Sequence, residues 1–205
     1  MPKTVGDFNY KGILSSSYIT IVSGLPRSGT SMMMRMLEAG GMDVLTDHIR
    51  GANEDNPLGY FEFERVKKLK NGDTVWLQEA NGKAVKVISA LLENLPDNYT
   101  YRVIFMHRNL NEILASQKKM LIRRGEPVNS IEDERMEKIF ENHLNQVNDW
   151  FTQHKNIKVE HINYNELLVK PEINVIKINK FLDERLDTEL MLAVPDPNLY
   201  RQRDS

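Results

Sequence analysis

Tyr18-Ile19-Thr20-Ile21-Val22-Ser23-Gly24-Leu25-Pro26-Arg27-Ser28-Gly29-Thr30-Ser31 reads as a buried strand that runs into a glycine-bounded loop and then opens a helix. Backbone N–H groups at a helix start carry partial positive charge and lack partners within the helix, so such a loop grips an anion such as phosphate or sulfate. Gly24 and Gly29 allow the tight turn and the close approach of backbone to ligand. The spacing matches the Gly-x-x-x-x-Gly half of the nucleotide-binding P-loop and then departs from it, because Thr30 stands where that motif has its lysine. Arg27, inside the loop, supplies the positive charge instead. The competing structural reading is a glycine turn with an ordinary N-cap serine.

The 205-residue chain is long enough for one substantial core, and its bounds read as an N-terminal arm over residues 1–17 followed by a single α/β domain over residues 18–205. With 27 basic and 29 acidic residues the net charge is −2, which gives no electrostatic case for nucleic acid or an anionic membrane. An anion site must therefore be made by locally concentrated basic groups. The absence of cysteine excludes disulfides, thiolate catalysis and cysteine-ligated zinc. No apolar stretch approaches a bilayer span, no integral membrane segment is expected, and the chain reads as cytoplasmic.

Working outward, Met32, Met33, Met36 and Leu37 recur at helical spacing and predict a helix closing at Gly40-Gly41. That methionine stripe is core filler by chemistry. Strands are predicted at 19–23, 84–88, 102–106 and 157–162, with a short one near 42–45. Helices are predicted at 61–70, 91–96, 110–124, 131–154, 166–169 and 172–182. Residues 46–59, rich in Asp, Asn, Gly and Pro, read as a long functional loop. The alternation of strands and helices predicts a three-layer α/β/α domain with a mostly parallel central sheet, P-loop-like, whose ligand sits beyond the carboxyl ends of the strands.

A second anion site is predicted where the strand at 102–106 runs into His107-Arg108-Asn109-Leu110-Asn111-Glu112-Ile113-Leu114-Ala115-Ser116. Arg108 offers a planar donor fork at a strand end, and Ser116, about two helical turns on, offers a hydroxyl to the same crevice. Alone, the pair is a weak signal, since an arginine after a strand is more often a surface ion pair. Together with the loop, these motifs resemble the sulfotransferases that use 3′-phosphoadenosine-5′-phosphosulfate, and in particular their bacterial-type domains. Pro26-Arg27-Ser28-Gly29-Thr30-Ser31 matches that family's loop for the 5′-phosphosulfate, and Arg108 and Ser116 match its pair for the 3′-phosphate. Asp55-Asn56-Pro57-Leu58-Gly59-Tyr60-Phe61-Glu62 is similar to a bacterial segment of the family, as is His161-Ile162-Asn163-Tyr164-Asn165-Glu166-Leu167-Leu168 with Pro171 and Phe181-Leu182. Leu199-Tyr200-Arg201 resembles its recurrent ending, which places Arg201 with the cofactor-binding residues.

The resemblance implies sulfuryl transfer from that co-substrate to a hydroxyl or amine of an unidentified acceptor (carbohydrate, lipid, small metabolite or peptide), with adenosine 3′,5′-bisphosphate as product and no metal. Lys86 stands where the family has a lysine that reaches the transferring group, although it also reads as a solvated strand-end lysine. The histidine that many members carry shortly after that lysine is missing, so the general base is sought among Asp47, Glu54, Asp55, Glu62 and His48. Residues 46–64 and 130–150 are expected to wall the acceptor pocket. Lys118, Lys119, Arg123 and Arg124 read as a solvated helix face or as the rim of an anionic acceptor's entrance. Two alternatives remain: a P-loop nucleoside or nucleotide kinase, which Thr30 disfavours, and a non-catalytic nucleotide-binding relative.

Overall fold

The strand Ile19–Gly24 (β1) is buried at every position and forms the middle of a five-stranded sheet. The computed structural model describes residues 18–53, 56, 59–126 and 133–196. The arm at 1–17 and the candidates Glu54, Asp55 and Arg201 lie outside the described residues. The other strands are Val44–Leu45 (β2), Ala84–Lys86 (β3), Tyr101–His107 (β4) and Ile157–Asn163 (β5). Their order is β2-β3-β1-β4-β5, and every pairing is parallel. The fold is therefore α/β with an all-parallel sheet, where the sequence predicted a mostly parallel one.

Parallel neighbours need crossovers over the faces of the sheet, and helices supply them. Thr30–Ala39 (α1), Leu110–Arg123 (α2), Asp133–Gln153 (α3), Tyr164–Val169 (α4), Pro171–Phe181 (α5) and Thr188–Leu192 (α6) follow in chain order. One core sets the methionine stripe of α1 against Val22, Ile104 and Ile162 of the sheet and Val175 and Ile178 of α5. The other, on the opposite face, joins Ile19, Ile21, Val103 and Phe105 to Trp76 and to Val147 of α3. Strands covered on both faces read as continuous apolar runs, which is why they were visible in the sequence.

Where the structure differs from the predicted elements, local backbone explains it. The helix expected at 61–70 is a 3₁₀ helix over Glu64–Asn71, starting later because Phe61 takes a left-handed conformation (φ 52) and Phe63 is extended. The helix expected at 91–96 is likewise a 3₁₀ segment, Ser89–Asn94. A short helix was missed at α6, although Asp187 caps it by accepting the Leu190 N–H at 3.0 Å and Met191 is fully buried.

The register aligns strand ends along one edge. Val22 pairs with Lys86, Gly24 with Met106 and His107 with Asn163, so β1, β3, β4 and β5 all deliver their next residues to the same crevice. The chain turns from β1 to one side for β2 and β3 and to the other for β4 and β5, which makes β1 the switch point at which α/β sheets place ligands.

Candidate functional site

The loop after β1 is shaped by two glycines that no other residue replaces without collision. Gly24 has φ +147, and a Cβ there would lie 2.5 Å from Ser28 Oγ and 2.6 Å from the Met106 carbonyl oxygen. Gly29 has φ +95, and its Cβ would fall 2.3 Å from Tyr164 Cδ2. Arg27 is itself left-handed (φ 74), a conformation that costs an ordinary residue about 1–3 kcal/mol and persists only where the surroundings hold it. Its restraint is visible: Arg27 Nε donates to Ser116 Oγ at 2.8 Å, across 89 residues of sequence. Ser28 differs from its loop neighbours, because its side chain is fully buried outside the cavity lining and its N–H donates to the Leu25 carbonyl within the turn. Gly29 caps α1 with no side-chain cap, and Thr30 and Ser31 line the cavity at the helix start.

Arg108 follows β4 and reaches back under the loop. Its Nη1 donates to the Arg27 carbonyl at 3.0 Å, and its Nε donates to Glu112 Oε2 at 2.8 Å, with both side chains almost fully buried. The guanidinium also lies 4.7 Å from the centre of the Tyr164 ring. Asn165 Nδ2 donates to the second oxygen of Glu112 at 2.9 Å. Asn109 accepts from the N–H groups of Asn111 and Glu112 and so fixes the start of α2, which carries Ser116 into the cavity two turns later.

On the other side of the loop, Lys86 ends β3 with its side chain 8% exposed. Its ammonium donates to the Tyr60 carbonyl and, at 3.2 Å, to Ser31 Oγ. Burial pushes the Lys86 pKa down to about 8; Glu62, 4.0 Å away, opposes the shift and Arg50 adds to it. Arg50 Nη1 pairs with Glu62 Oε1 at 2.7 Å while its guanidinium sits 3.5 Å over the Tyr60 ring.

These groups line one cavity of about 460 Å³. Among the described residues that line it, nine are Arg or Lys and two, Glu62 and Asp196, carry carboxylates. In a chain of net charge −2 this is the local concentration of positive charge that an anion site requires. The structure thus brings together Arg27, Gly29, Thr30, Ser31, Lys86, Glu62, Arg108 and Ser116. It does not bring Asp47 or His48 to the cavity lining.

Asp47 accepts the Glu64 N–H at 2.6 Å and the Ile49 N–H at 3.0 Å, and so caps the 3₁₀ helix at Glu64. Asp47→Ala is therefore expected to lower stability by about 1 kcal/mol, a fall of roughly 2–4 °C in melting temperature. Ligand affinity should not change; scanning calorimetry and titration on the same variant check both. His48 is exposed, left-handed (φ 56), and takes part in the turn through its N–H.

Sequence reading gave no role to Arg35, Arg50, Tyr164 or Asp196, all of which line the cavity. Arg35 had a usable signal, a lone cation inside the methionine helix. Its Nε is buried with no hydrogen-bond partner, and burial lowers its pKa. An orphaned guanidinium nitrogen beside a cradle that any Cβ would fill suits a multiply charged oxyanion. Of the residues expected to wall an acceptor pocket, those at 46–64 contribute, whereas no described residue of 130–150 does; the second half of α2 takes that place. Among the described residues there is no group of three or more His, Cys, Asp or Glu that could hold a metal ion, and no helix is long and apolar enough to cross a membrane.

The all-parallel sheet with its glycine loop at β1 defines a P-loop-type α/β protein, and the chain has the fold of bacterial sulfotransferase domains. The sulfotransferase domain of the Synechococcus PCC 7002 olefin synthase superposes with a TM-score of 0.56 at 15% identity, over 92% of this chain and 84% of that one. A sulfotransferase from Mycobacterium tuberculosis H37Rv does so at 0.52 and 14%, over 88% and 72%. No family model matches the sequence. A nucleotide-binding protein of Polynucleobacter asymbioticus is 25% identical over 112 residues, which is 55% of this chain and 36% of that protein; the chain spans about a third of the length of this relative.

Proposed function

We propose that residues 18–205 act as one catalytic unit that moves a sulfuryl group from 3′-phosphoadenosine-5′-phosphosulfate to a hydroxyl or amine of an acceptor by in-line displacement. One observation carries this reading: the β1 loop, Lys86 from β3, and Arg108 and Ser116 after β4 all line a single cavity. Two subsites of positive donors, linked by the Arg27–Ser116 hydrogen bond, suit a ligand with phosphates at two separate places.

In this reading Arg27, the backbone of residues 29–31 and the hydroxyls of Thr30 and Ser31 hold the 5′ side of the co-substrate, while Ser28, whose N–H is taken by the Leu25 carbonyl, shapes the turn. Arg108 and Ser116 hold the 3′-phosphate, and Arg201 is counted with the cofactor-binding residues on the resemblance of its segment alone. The acceptor oxygen or nitrogen bonds to sulfur and gives up its proton to a general base as the bond from sulfur to the 5′-phosphate oxygen breaks, and adenosine 3′,5′-bisphosphate leaves with the electron pair. Charge develops on the leaving oxygen, so donors preorganised beside it stabilise the transition state more than the ground state. Lys86, whose ammonium donates to Ser31 Oγ at 3.2 Å, is the donor this reading assigns to it. Glu62 is the proposed general base, because among the described carboxylates that line the cavity it is the one 4.0 Å from Lys86.

Thermal unfolding with adenosine 3′,5′-bisphosphate tests the reading. At about a hundred times its dissociation constant the ligand should add roughly 2.7 kcal/mol, a rise of about 5–11 °C for a chain of this size. Ser116→Ala should reduce the rise. A shift with ATP and Mg²⁺ instead, or none in a folded protein, sinks the proposal. A second reading, nucleotide binding without transfer, draws support from the name of the Polynucleobacter relative. It predicts the same thermal shift with no sulfuryl transfer.

A further inference from the structure

Ser116, Lys119, Met120, Arg123 and Arg124 line the cavity together; spacings of three, four and seven residues put the first four on one face of α2, and Arg124 caps its C-terminus. Arg123 lies about 10 Å along the helix axis from Ser116. The cavity thus extends well past the loop and the Arg108–Ser116 pair. Facing α2 are Phe63, Val66 and Lys67 at the start of the 3₁₀ helix, with Ile88 and Leu91 after β3. Ile88 stands two residues beyond Lys86 and is 43% exposed, so it offers the cavity an apolar surface beside the proposed transfer point.

This part of the cavity combines an apolar body with a cationic rim. Phe63, Val66, Ile88, Leu91 and Met120 supply the first; Lys119, Arg123 and Arg124 supply the second, with Lys67 beside them in an ion pair to Glu64 at 2.6 Å. The rim is not a by-product of composition, since acidic residues outnumber basic ones in the chain. Guanidinium and ammonium groups beside an apolar wall recognise a molecule with an apolar frame and an anionic substituent. Resting on the sulfotransferase reading above, we propose that the acceptor is a small hydroxylated molecule with an apolar frame and a carboxylate or phosphate group. Its hydroxyl is directed to Glu62 and Lys86, and its anionic group is held by Lys119, Arg123 and Arg124.

Titration calorimetry on protein saturated with adenosine 3′,5′-bisphosphate isolates this subsite, because the nucleotide occupies the other phosphate-binding groups. The probes are 4-hydroxyphenylacetate, 4-hydroxyphenyl phosphate and the neutral 4-hydroxyphenylacetamide. The expected result is that at least one anion binds about tenfold or more tighter than the amide. The Arg123→Gln, Arg124→Gln variant should abolish that preference while its bisphosphate affinity stays within about twofold of wild type. The two anions show whether the rim reads carboxylate or phosphate. Equal binding of amide and anions, or no binding of either anion, overturns the proposal. A variant that loses the bisphosphate assigns the arginines to the nucleotide and also overturns it, with the sulfotransferase reading intact. Failure of that reading shows separately, as wild-type protein that does not bind the bisphosphate.

Discussion

Arg108→Ala is expected to lower the unfolding free energy by about 3–5 kcal/mol, because it strands a buried carboxylate. Glu112 is 4% exposed and its Oε2 is paired with Arg108 Nε at 2.8 Å; without the arginine it keeps the Asn165 amide and loses this charged partner. The same substitution removes the donor to the Arg27 carbonyl, which helps hold that residue in its left-handed conformation. In a chain of this length the loss corresponds to a fall of roughly 6–20 °C in melting temperature. Loss of bisphosphate binding by this variant alone would not separate a binding role from collapse of the loop. The paired variant Arg108→Met, Glu112→Gln does so, since it removes both charges and leaves Asn165 an acceptor. It should recover most of the stability and still fail to bind the bisphosphate. A paired variant that binds as well as wild type would remove Arg108 from the 3′-phosphate site.

The Lys86→Met variant should be more stable than wild type at pH 7 by about 3 kcal/mol. Burial holds the Lys86 pKa near 8 against an ordinary value of 10.5, so the folded state carries a cation it disfavours. Between pH 8 and 10.5 the folded chain has released this proton and the unfolded chain has not. The unfolded state then binds more protons, and wild-type stability rises with pH across that window. Below it both states are protonated and the penalty is constant; above it both are neutral and the penalty is gone. The gap between variant and wild type, measured by urea unfolding from pH 7 to 10.5, should therefore close as pH rises. A constant gap would mean that Lys86 keeps its charge throughout. The Tyr60 carbonyl does not become an orphan in the variant, since Ser31 Oγ also donates to it at 3.2 Å. If Lys86 stabilises the leaving group as proposed, the gain in stability comes with a loss of transfer rate, a trade seen where a site holds a charge its surroundings disfavour.

The two predictions touch groups that the sequence presented with unequal clarity. Arg108 and Ser116 were legible because their relation is local: one strand end, one capped helix and an eight-residue spacing fix them to a common face. Lys86 was legible as a strand-end residue, but its burial was not. That burial depends on Tyr60 and Glu62 folding back over it from a loop with no periodicity. The choice among Asp47, His48 and Glu62 was equally closed to sequence reasoning, since loop acids look alike until it is known which oxygens the backbone has already taken.

By itself the sequence determined the strands, the glycine loop and the α/β class, because apolar runs, helical spacing and turn residues act within a few positions of one another. Tertiary structure alone decided that Arg27 reaches Ser116 across 89 residues, that Arg108 is ion-paired with Glu112, and that the second half of α2 rather than the described residues of 130–150 walls the cavity. The parallel sheet is the physical reason. Its crossovers bring the ends of β1, β3, β4 and β5 to one edge, and the distances between side chains meeting there are set by strand register and helix direction.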